Sequence, residues 1–216
     1  MRSLAIEKLK ETLSLTPIQR EVLVGLLLGD GCLETRNGRT YRLKIEQSKA
    51  HRAYVDHLYH VFDGWVLTPP RIRQVMSRGY ASENVTFQTI SHSAFRFYAH
   101  QFYREGRKQV PKLIHRWLTP QALSYWFMDN GSLKSKESKG VILNTQAFAP
   151  ADIERLIQCL QIKFELEART RKQRDGCQIY ISGNSFEKFA ALVEAYVIPE
   201  MKYKLPLPRR TPLPKL

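Results

Sequence analysis

The stretch Leu23-Val-Gly-Leu-Leu-Leu-Gly-Asp30-Gly31-Cys-Leu33 comes back one hundred residues later as Leu123-Ser-Tyr-Trp-Phe-Met-Asp-Asn130-Gly131-Ser-Leu133. Each copy is an apolar run closed by a short polar residue, then Gly, one further residue, and Leu. Three more matches follow in the same order. Arg42-Leu-Lys-Ile-Glu-Gln47 stands against Val141-Ile-Leu-Asn-Thr-Gln146 at an offset of 99, and Ala53 to Leu58 stands against Asp152 to Leu156. Lys108-Gln-Val-Pro111 stands against Lys204-Leu-Pro206. An ordered set at a near-constant offset marks two halves built to one plan.

Within each half the coarse pattern is helix, strand, helix, strand, strand, helix, an α+β arrangement. Thr40 to Gln47 alternates strictly, with Tyr41, Leu43 and Ile45 on one face and Arg42, Lys44 and Glu46 on the other. Such a strand keeps one face on a core and one face wet or bound. Thr86 to Ile90 and Gln178 to Ser182 read as further strands, and Gly38, Gly79, Gly140 and Gly176 as turns between strands. Leu67-Thr-Pro-Pro70 closes the second helix. Residues 104 to 120 bridge the halves, and the proline-rich tail is irregular.

The run Glu21 to Gly29 is apolar nearly all round, so its helix is buried. Gly25 and Gly29 lie on one face, although each glycine costs a helix about 1 kcal/mol relative to Ala. Another backbone is expected there, that of Leu123 to Asp129. Asp30 then sits at a helix C-terminus, where the macrodipole disfavours an acid. A carboxylate in a poor electrostatic position needs another reason. Two crossed helices would gather carboxylate and carbonyl oxygens at one point, which suits Mg²⁺ and metal-assisted phosphodiester hydrolysis.

Composition agrees with a polyanionic partner. Lys plus Arg number 34 and Asp plus Glu 20, a net charge of +14, which points to nucleic acid first and an acidic membrane second. The apolar content of 43% is ordinary for a protein with a core. No segment has the apolar length to span a bilayer. The N-terminus reads as a short amphipathic helix, not a signal peptide. Cys32, Cys159 and Cys177 lack a metal-ligand spacing, so a reducing compartment without structural zinc is expected. The histidines His51, His57, His60, His92, His100 and His115 form no metal or nuclease pattern. Tyr98, Phe102, Tyr103 and Trp126 read as core. Arginine outnumbers lysine, 19 to 15, and asparagine is scarce at 5. This leans toward a bacterial cytoplasm, with an organelle matrix as the other location and secretion not expected.

The wet strand faces carry groups that contact phosphates and bases: Arg42, Lys44, Glu46, Arg71, Arg73, Gln74, Arg78 and Gln88 in the first half. The second half offers Lys134, Lys136, Asn144, Arg169, Arg171, Lys172 and Gln178. Arg pairs bidentately with G, while Asn and Gln suit A. The two sets differ, so a long asymmetric double-stranded target is expected.

With these residues on the page, the sequence resembles the LAGLIDADG homing endonuclease family in its single-chain, two-motif form. The two motif copies carry the likeness, with Trp65-Val-Leu-Thr-Pro-Pro70, Leu118-Thr-Pro120, Val141 to Gln146 and Met201-Lys-Tyr-Lys-Leu-Pro206. It spans about residues 15 to 206. The resemblance implies two pseudo-symmetric αββαββα halves with saddle-shaped antiparallel sheets around a central pair of motif helices. By the same likeness residues 1–14 are a helical extension, 15–103 and 119–206 the halves, 104–118 the linker and 207–216 a basic tail. It implies a monomer that cuts DNA across the minor groove, leaves short 3′ overhangs and promotes intron homing. Mg²⁺ is the implied cofactor, with Mn²⁺ substituting and Ca²⁺ binding without supporting cleavage. Asp30 matches the first catalytic, metal-binding acid. Gln47 or Glu46, and Gln146, match polar residues that order water. Lys108 and Lys204 match the paired lysines, while Gly29 and Asp129 lend backbone carbonyls.

One position departs from the pattern. The second motif should end in an acid, and it ends in Asn130. Asn keeps the shape of Asp with one acceptor oxygen and no charge. Four outcomes fit: tolerance, with Asp129 rotating in or one metal serving; preferential cutting of one strand; an introduced inactivating exchange; or lost cleavage with retained binding. The alternative function is therefore a non-cleaving nucleic-acid-binding protein, such as a maturase acting on intron RNA.

Overall fold

The computed structural model describes residues 4–77, 80–135 and 138–205. After an N-terminal helix α1 (Leu4–Thr12) that buries no side chain, the first half runs α2 (Pro17–Leu28), β1 (Cys32–Thr35), β2 (Tyr41–Ser48), α3 (Arg52–Val61), β3 (Arg71–Ser77), β4 (Tyr80–Gln88) and α4 (Arg96–Phe102). A short hairpin, β5 (Tyr103–Arg104) with β6 (Arg107–Lys108), and helix α5 (Ile114–Trp117) lead across. The second half repeats the order: α6 (Pro120–Asn130), β7 (Gly131–Ser135), β8 (Ser138–Leu143), α7 (Pro150–Phe164), β9 (Ala168–Gln173), β10 (Gly176–Ile181) and α8 (Phe186–Val193). A 3-10 turn, Pro199–Lys204, follows. Both four-stranded sheets are antiparallel, in the orders β1-β2-β4-β3 and β7-β8-β10-β9. The architecture is αββαββα twice.

Both motif helices start the same way. Thr16 caps α2 by accepting from the Gln19 N–H, the Gln19 side chain accepts from the Thr16 N–H, and Pro17 opens the helix. Thr119 caps α6 by accepting from the Ala122 N–H, with Pro120 next. A capping oxygen satisfies an otherwise orphan helix N–H, and proline's missing N–H is harmless in the first turn.

The helices then bury against one another. A Cβ at Gly25 would lie 2.8 Å from Tyr125 Cβ and collide with the Ala122 carbonyl oxygen, and one at Gly29 would lie 2.5 Å from Asp129 Cβ. Glycine is required at both places because another chain segment occupies the space a methyl would take. Gly25 faces Tyr125 and Gly29 faces Asp129, so the offset of 100 holds along the helix pair.

Leu43, Ile45, Val85 and Phe87 fill the core side of the first sheet, and Val141, Leu143, Ile179 and Ile181 that of the second. Phe102 and Trp126 are buried, and Tyr98 and Tyr103 pack partly against the core. The three cysteines are unpaired. No helix among the described residues is long and apolar enough to cross a membrane.

The structure corrects several readings. Strands β1, β3, β7 and β9 escaped the alternation pattern because β1 is only four residues long, β7 and β9 carry few apolar side chains, and Ile72, Val75 and Met76 of β3 do not alternate. Helix α3 ends at Val61, well before Leu67-Thr-Pro-Pro70. Gly140 lies inside β8, not in a turn; the Tyr180 ring occupies the space its side chain would fill. Gly38 and Gly176 do adopt positive φ at turns, at 67° and 137°, where glycine escapes the Cβ penalty. Gly79, Arg78, Lys136 and the tail fall outside the described residues.

Candidate active site and nucleic-acid interface

Because α2 and α6 run together, their C-terminal ends bring Gly29, Asp30, Asp129 and Asn130 to one place. Each end carries a lysine, Lys108 from the connecting hairpin and Lys204 from the 3-10 turn after α8. Lys108 Nζ donates to the Gly29 carbonyl at 2.6 Å, and Lys204 Nζ donates to the carbonyls of Met128 and Asp129, the latter at 3.2 Å. An ammonium beside the exposed carbonyls of a helix C-terminus meets the negative end of its dipole. Burial pulls both lysines down from their ordinary pKa, while the carboxylates of Asp129 and Asp30 push the other way.

The carboxylates are not arranged symmetrically. Asp129 reaches across the pair into the space that Gly29 leaves free, and its Oδ2 accepts from the Asp30 backbone N–H at 3.0 Å. Gln47, at the end of β2, donates through Nε2 to Asp30 Oδ2 at 2.9 Å and to Asp129 Oδ1 at 3.4 Å. Burial, and next the Asp30 charge, raise the Asp129 carboxyl to about 7. Two neighbouring acids in restricted solvent cannot both ionise freely. The Tyr54 hydroxyl, on α3, is buried without a hydrogen-bond partner among the described residues, and burial, then the Asp129 charge, push its pKa well above the ordinary value.

Asn130 belongs to a different set of contacts. Its Nδ2 donates to the Asn144 carbonyl at 3.2 Å, and its own carbonyl accepts from the Asn144 backbone N–H and side chain. Asn144 Oδ1 in turn accepts from Gln178 Nε2 at 2.6 Å. Gln146 makes no side-chain hydrogen bond to either motif acid among the described residues. Negative charge is thus gathered on the Asp30 side, where Gln47 also stands, and the Asn130 side is a neutral amide network. The sequence reading gave Asp129 a backbone carbonyl, and its carboxylate only as a group that rotates in where Asn130 lacks charge. Its contact with the Asp30 N–H was missed because the glycines foretell a close backbone and not the direction in which the Asp129 side chain turns. Tyr54 carried no signal either, being one aromatic in an amphipathic helix.

The sheet register decides which polar groups share a face, since successive strand residues point to opposite sides. In the first sheet Arg42, Lys44, Glu46, Arg71, Arg73 and Gln88 share the face away from the core. All of these but Glu46 line a cavity of 580 Å³, together with Glu34 and Arg36. Carboxylates brace the cations: Arg42 to Glu34 at 2.7 Å, Lys44 to Glu46 at 3.1 Å, Arg73 to Glu46 at 3.8 Å. Hydrogen bonding from Asn84, and then Lys44 and Arg73, hold the Glu46 carboxyl below its usual range. In the second sheet Lys134, Asn144, Arg169, Arg171 and Gln178 share the corresponding face.

Two expected readers are on the wrong side. Gln74 pairs with Glu83 and donates to it at 3.0 Å, opposite in facing to Arg71 and Arg73. Lys172 pairs with Cys177, opposite in facing to Arg169 and Arg171. Arg73-Gln74 and Arg171-Lys172 are adjacent polar pairs, so composition alone did not separate their faces.

Two cation-faced sheets flanking one helix pair, with an acid and two lysines where the helices end, are the plan of a single-chain DNA-processing protein with one divided centre. The sequence profile of the LAGLIDADG DNA endonuclease family matches residues 20–189, and the chain belongs to that family. It is 34% identical over 204 residues to "Probable intron-encoded endonuclease 1" of Wickerhamomyces canadensis, covering 91% of this chain and 87% of that one. It is 28% identical to "Cytochrome b mRNA maturase bI2" of Debaryomyces hansenii, covering 86% of this chain and 72% of the relative. The solved structure of the homing endonuclease I-WcaI bound to its DNA recognition sequence superposes with a TM-score of 0.89 at 32% identity, covering 94% of this chain and 93% of that one.

Proposed function

We propose that the chain is a site-specific double-stranded DNA endonuclease that promotes intron homing. In this reading it hydrolyses phosphodiesters across the minor groove of a long asymmetric target and leaves short 3′ overhangs. The observation that carries the reading is the meeting of Asp30, Asp129 and Gln47 at the end of the helix pair, with a lysine on each side. Among the described residues no other place gathers acid, amide and ammonium groups between two basic sheet faces. The protein acts as a monomer, since each motif helix supplies the other's interface. Its host compartment is a bacterial cytoplasm or an organelle matrix.

The donor set fits a divalent cation. Asp30, Asp129, the Gly29 and Asp129 carbonyls and the Asn130 amide offer only oxygen, the preference of Mg²⁺ and Mn²⁺. No cluster of three or more His, Cys, Asp or Glu occurs among the described residues, so substrate phosphate and water would complete the shell. Such an ion, when bound, activates water and stabilises the leaving oxygen. The chain's own contribution is positional and electrostatic. Asp30 and Asp129 hold negative charge where the cation is needed. Gln47 Nε2 fixes the Asp30 carboxylate, and Lys108 and Lys204 bring positive charge to a developing phosphorane.

A second reading, an RNA maturase or a non-cleaving binder, is favoured by Asn130, which leaves one half without its motif acid, and by the likeness to a maturase. Incubation of a supercoiled plasmid bearing the native insertion site with the protein and Mg²⁺ separates the two. Open-circle or linear product is expected, and tight binding with no product overturns the nuclease reading.

A further inference from the structure

The two sheets orient their cations by different means. In the first, the arms of Arg42, Lys44 and Arg73 lean on Glu34 and Glu46. In the second, neither Lys134 nor Arg169 has a carboxylate partner among the described residues. An aromatic ring stands there instead. Tyr180 lies on the inner strand β10, facing the same way as its cross-strand neighbour Arg169. Its ring passes over the inner strand β8 at Gly140, where a Cβ would lie 2.6 Å from Tyr180 Cε2 and 2.8 Å from its hydroxyl oxygen. The sheet order β7-β8-β10-β9 then brings one cation from each outer strand to this ring. Arg169 Cζ is 5.2 Å from the ring centroid, and Lys134 Nζ is 5.6 Å from it.

We propose that Tyr180 is a specificity-determining residue of the second sheet, a platform that aims Arg169 and Lys134 at the DNA with their charge unneutralised. The inference rests on the DNA-binding reading above and adds to it a residue that touches neither the helix ends nor the two lysines. A carboxylate brace shares its cation's charge and hydrogen-bonding edge. A ring face attracts a cation through its quadrupole and leaves the N–H groups free for base edges and phosphates. Gly140 belongs to the same device, because only a residue without a side chain lets the ring cross β8. The ring therefore limits where the two arms point before DNA arrives, which lowers the ordering cost of binding.

The test uses the full chain and a duplex library randomised around its insertion site. Binding is read by competition and strand cutting at saturating DNA. Tyr180→Leu should lose roughly 5- to 30-fold in discrimination at base pairs under the second sheet, the combined worth of two exposed cation–π contacts. Discrimination under the first sheet and the cutting rate at saturation should not change. Tyr180→Phe keeps the ring and should discriminate as the parent does. Gly140→Ala displaces the ring without removing it and should reproduce the Tyr180→Leu pattern, which guards against a folding defect in that variant. Tyr180→Leu discriminating like the parent, or losing selectivity equally under both sheets, overturns the proposal. Arg169→Ala is run alongside. If it leaves selectivity unchanged too, the failure lies in the DNA-reading role of this face, and the proposal falls with it.

Discussion

The backbone N–H of Asp30 donates to the carboxylate of Asp129 across the helix pair, at 3.0 Å. An acid from one half is thus placed beside the acid of the other, and its ionisation is suppressed until about pH 7. The same crowding that disfavours ionisation in the metal-free protein prepares the site for a cation.

This has a measurable consequence for stability. In the unfolded chain Asp129 ionises near its ordinary value of 3.8, while in the native protein it holds its proton to about 7. Between those limits the native state binds more protons than the unfolded state, so stability falls as pH rises. The penalty is absent below about pH 4 and complete above about pH 7, where it amounts to no more than about 4 kcal/mol. Asp129→Asn removes it. Thermal unfolding in a chelator should show the variant melting above the parent at pH 8 and level with it at pH 4. An equal difference at both pH values would refute the burial of this charge.

Gly25→Ala should weaken the protein by crowding the helix pair. The added methyl would collide with the Ala122 carbonyl and press on Tyr125 and Trp126. The gain in helix propensity, about 1 kcal/mol, opposes an overpacking cost of about 1–3 kcal/mol, and backbone carbonyls yield less readily than side chains. Urea unfolding should show a lower midpoint with an unchanged slope. An unchanged midpoint would mean that the helices can separate there at no cost.

Lys204→Met tests the lysines as electrostatic groups. Methionine keeps the length and apolar stem but cannot donate to the Met128 and Asp129 carbonyls or meet phosphate charge. Cutting at saturating DNA should slow roughly 100- to 1,000-fold, with DNA affinity little changed. A loss that appears only in affinity would make Lys204 a binding residue.

How much of this was legible beforehand depended on whether the signal was local. The motif helices announced themselves through Gly25 and Gly29 inside an apolar run, a costly choice that only a close neighbour explains. Lys108 and Lys204 were found through the family resemblance and a proline that follows each within three residues, and each donates to carbonyls at a motif helix end. The side of a strand was harder. The alternation of Arg42, Lys44 and Glu46 with Leu43 and Ile45 fixed its own facing. Arg73-Gln74 and Arg171-Lys172 are polar on both sides, so only pairing with Asn84-Glu83 and Gln178-Cys177 resolves them. Tyr180 and Gly140 become one device only when β8 and β10 lie side by side, a contact between residues 40 apart in sequence that no local window contains.

Binding should weaken steeply with salt. Each cation that meets a phosphate releases a condensed counterion, so the logarithm of affinity falls linearly with the logarithm of salt concentration. For six to ten phosphate contacts the loss between 50 and 200 mM is roughly 1,000- to 100,000-fold. Replacing Arg71, which has no ion-pair partner among the described residues, should shallow the slope by about one contact. A flat titration would contradict nucleic acid as the partner of these sheets.

The last prediction concerns Asn130, which stands where the second half should carry its motif acid. Its Nδ2 donates to the Asn144 carbonyl, and a carboxylate oxygen cannot make that bond. Asn130→Asp would set an anion against a carbonyl oxygen, so the new side chain should turn away from Asn144. The lost hydrogen bond costs about 1 kcal/mol, and a third acid near Asp30 and Asp129 adds repulsion. The metal-free variant should therefore be less stable than the parent. Divalent cation should restore more stability to it than to the parent, because charged oxygens are what Mg²⁺ prefers. Strand cutting should change in the same direction: the parent nicks or cuts slowly, and the variant gains mainly on the strand served by the second half. Asp30→Asn should abolish what the parent does. A time course with each strand end-labelled, run on all three proteins, reads both rates at once. If Asn130→Asp leaves both rates unchanged, residue 130 holds no cation in this chain. The charge for the second cut would then come from Asp129, the acid that already reaches across the pair.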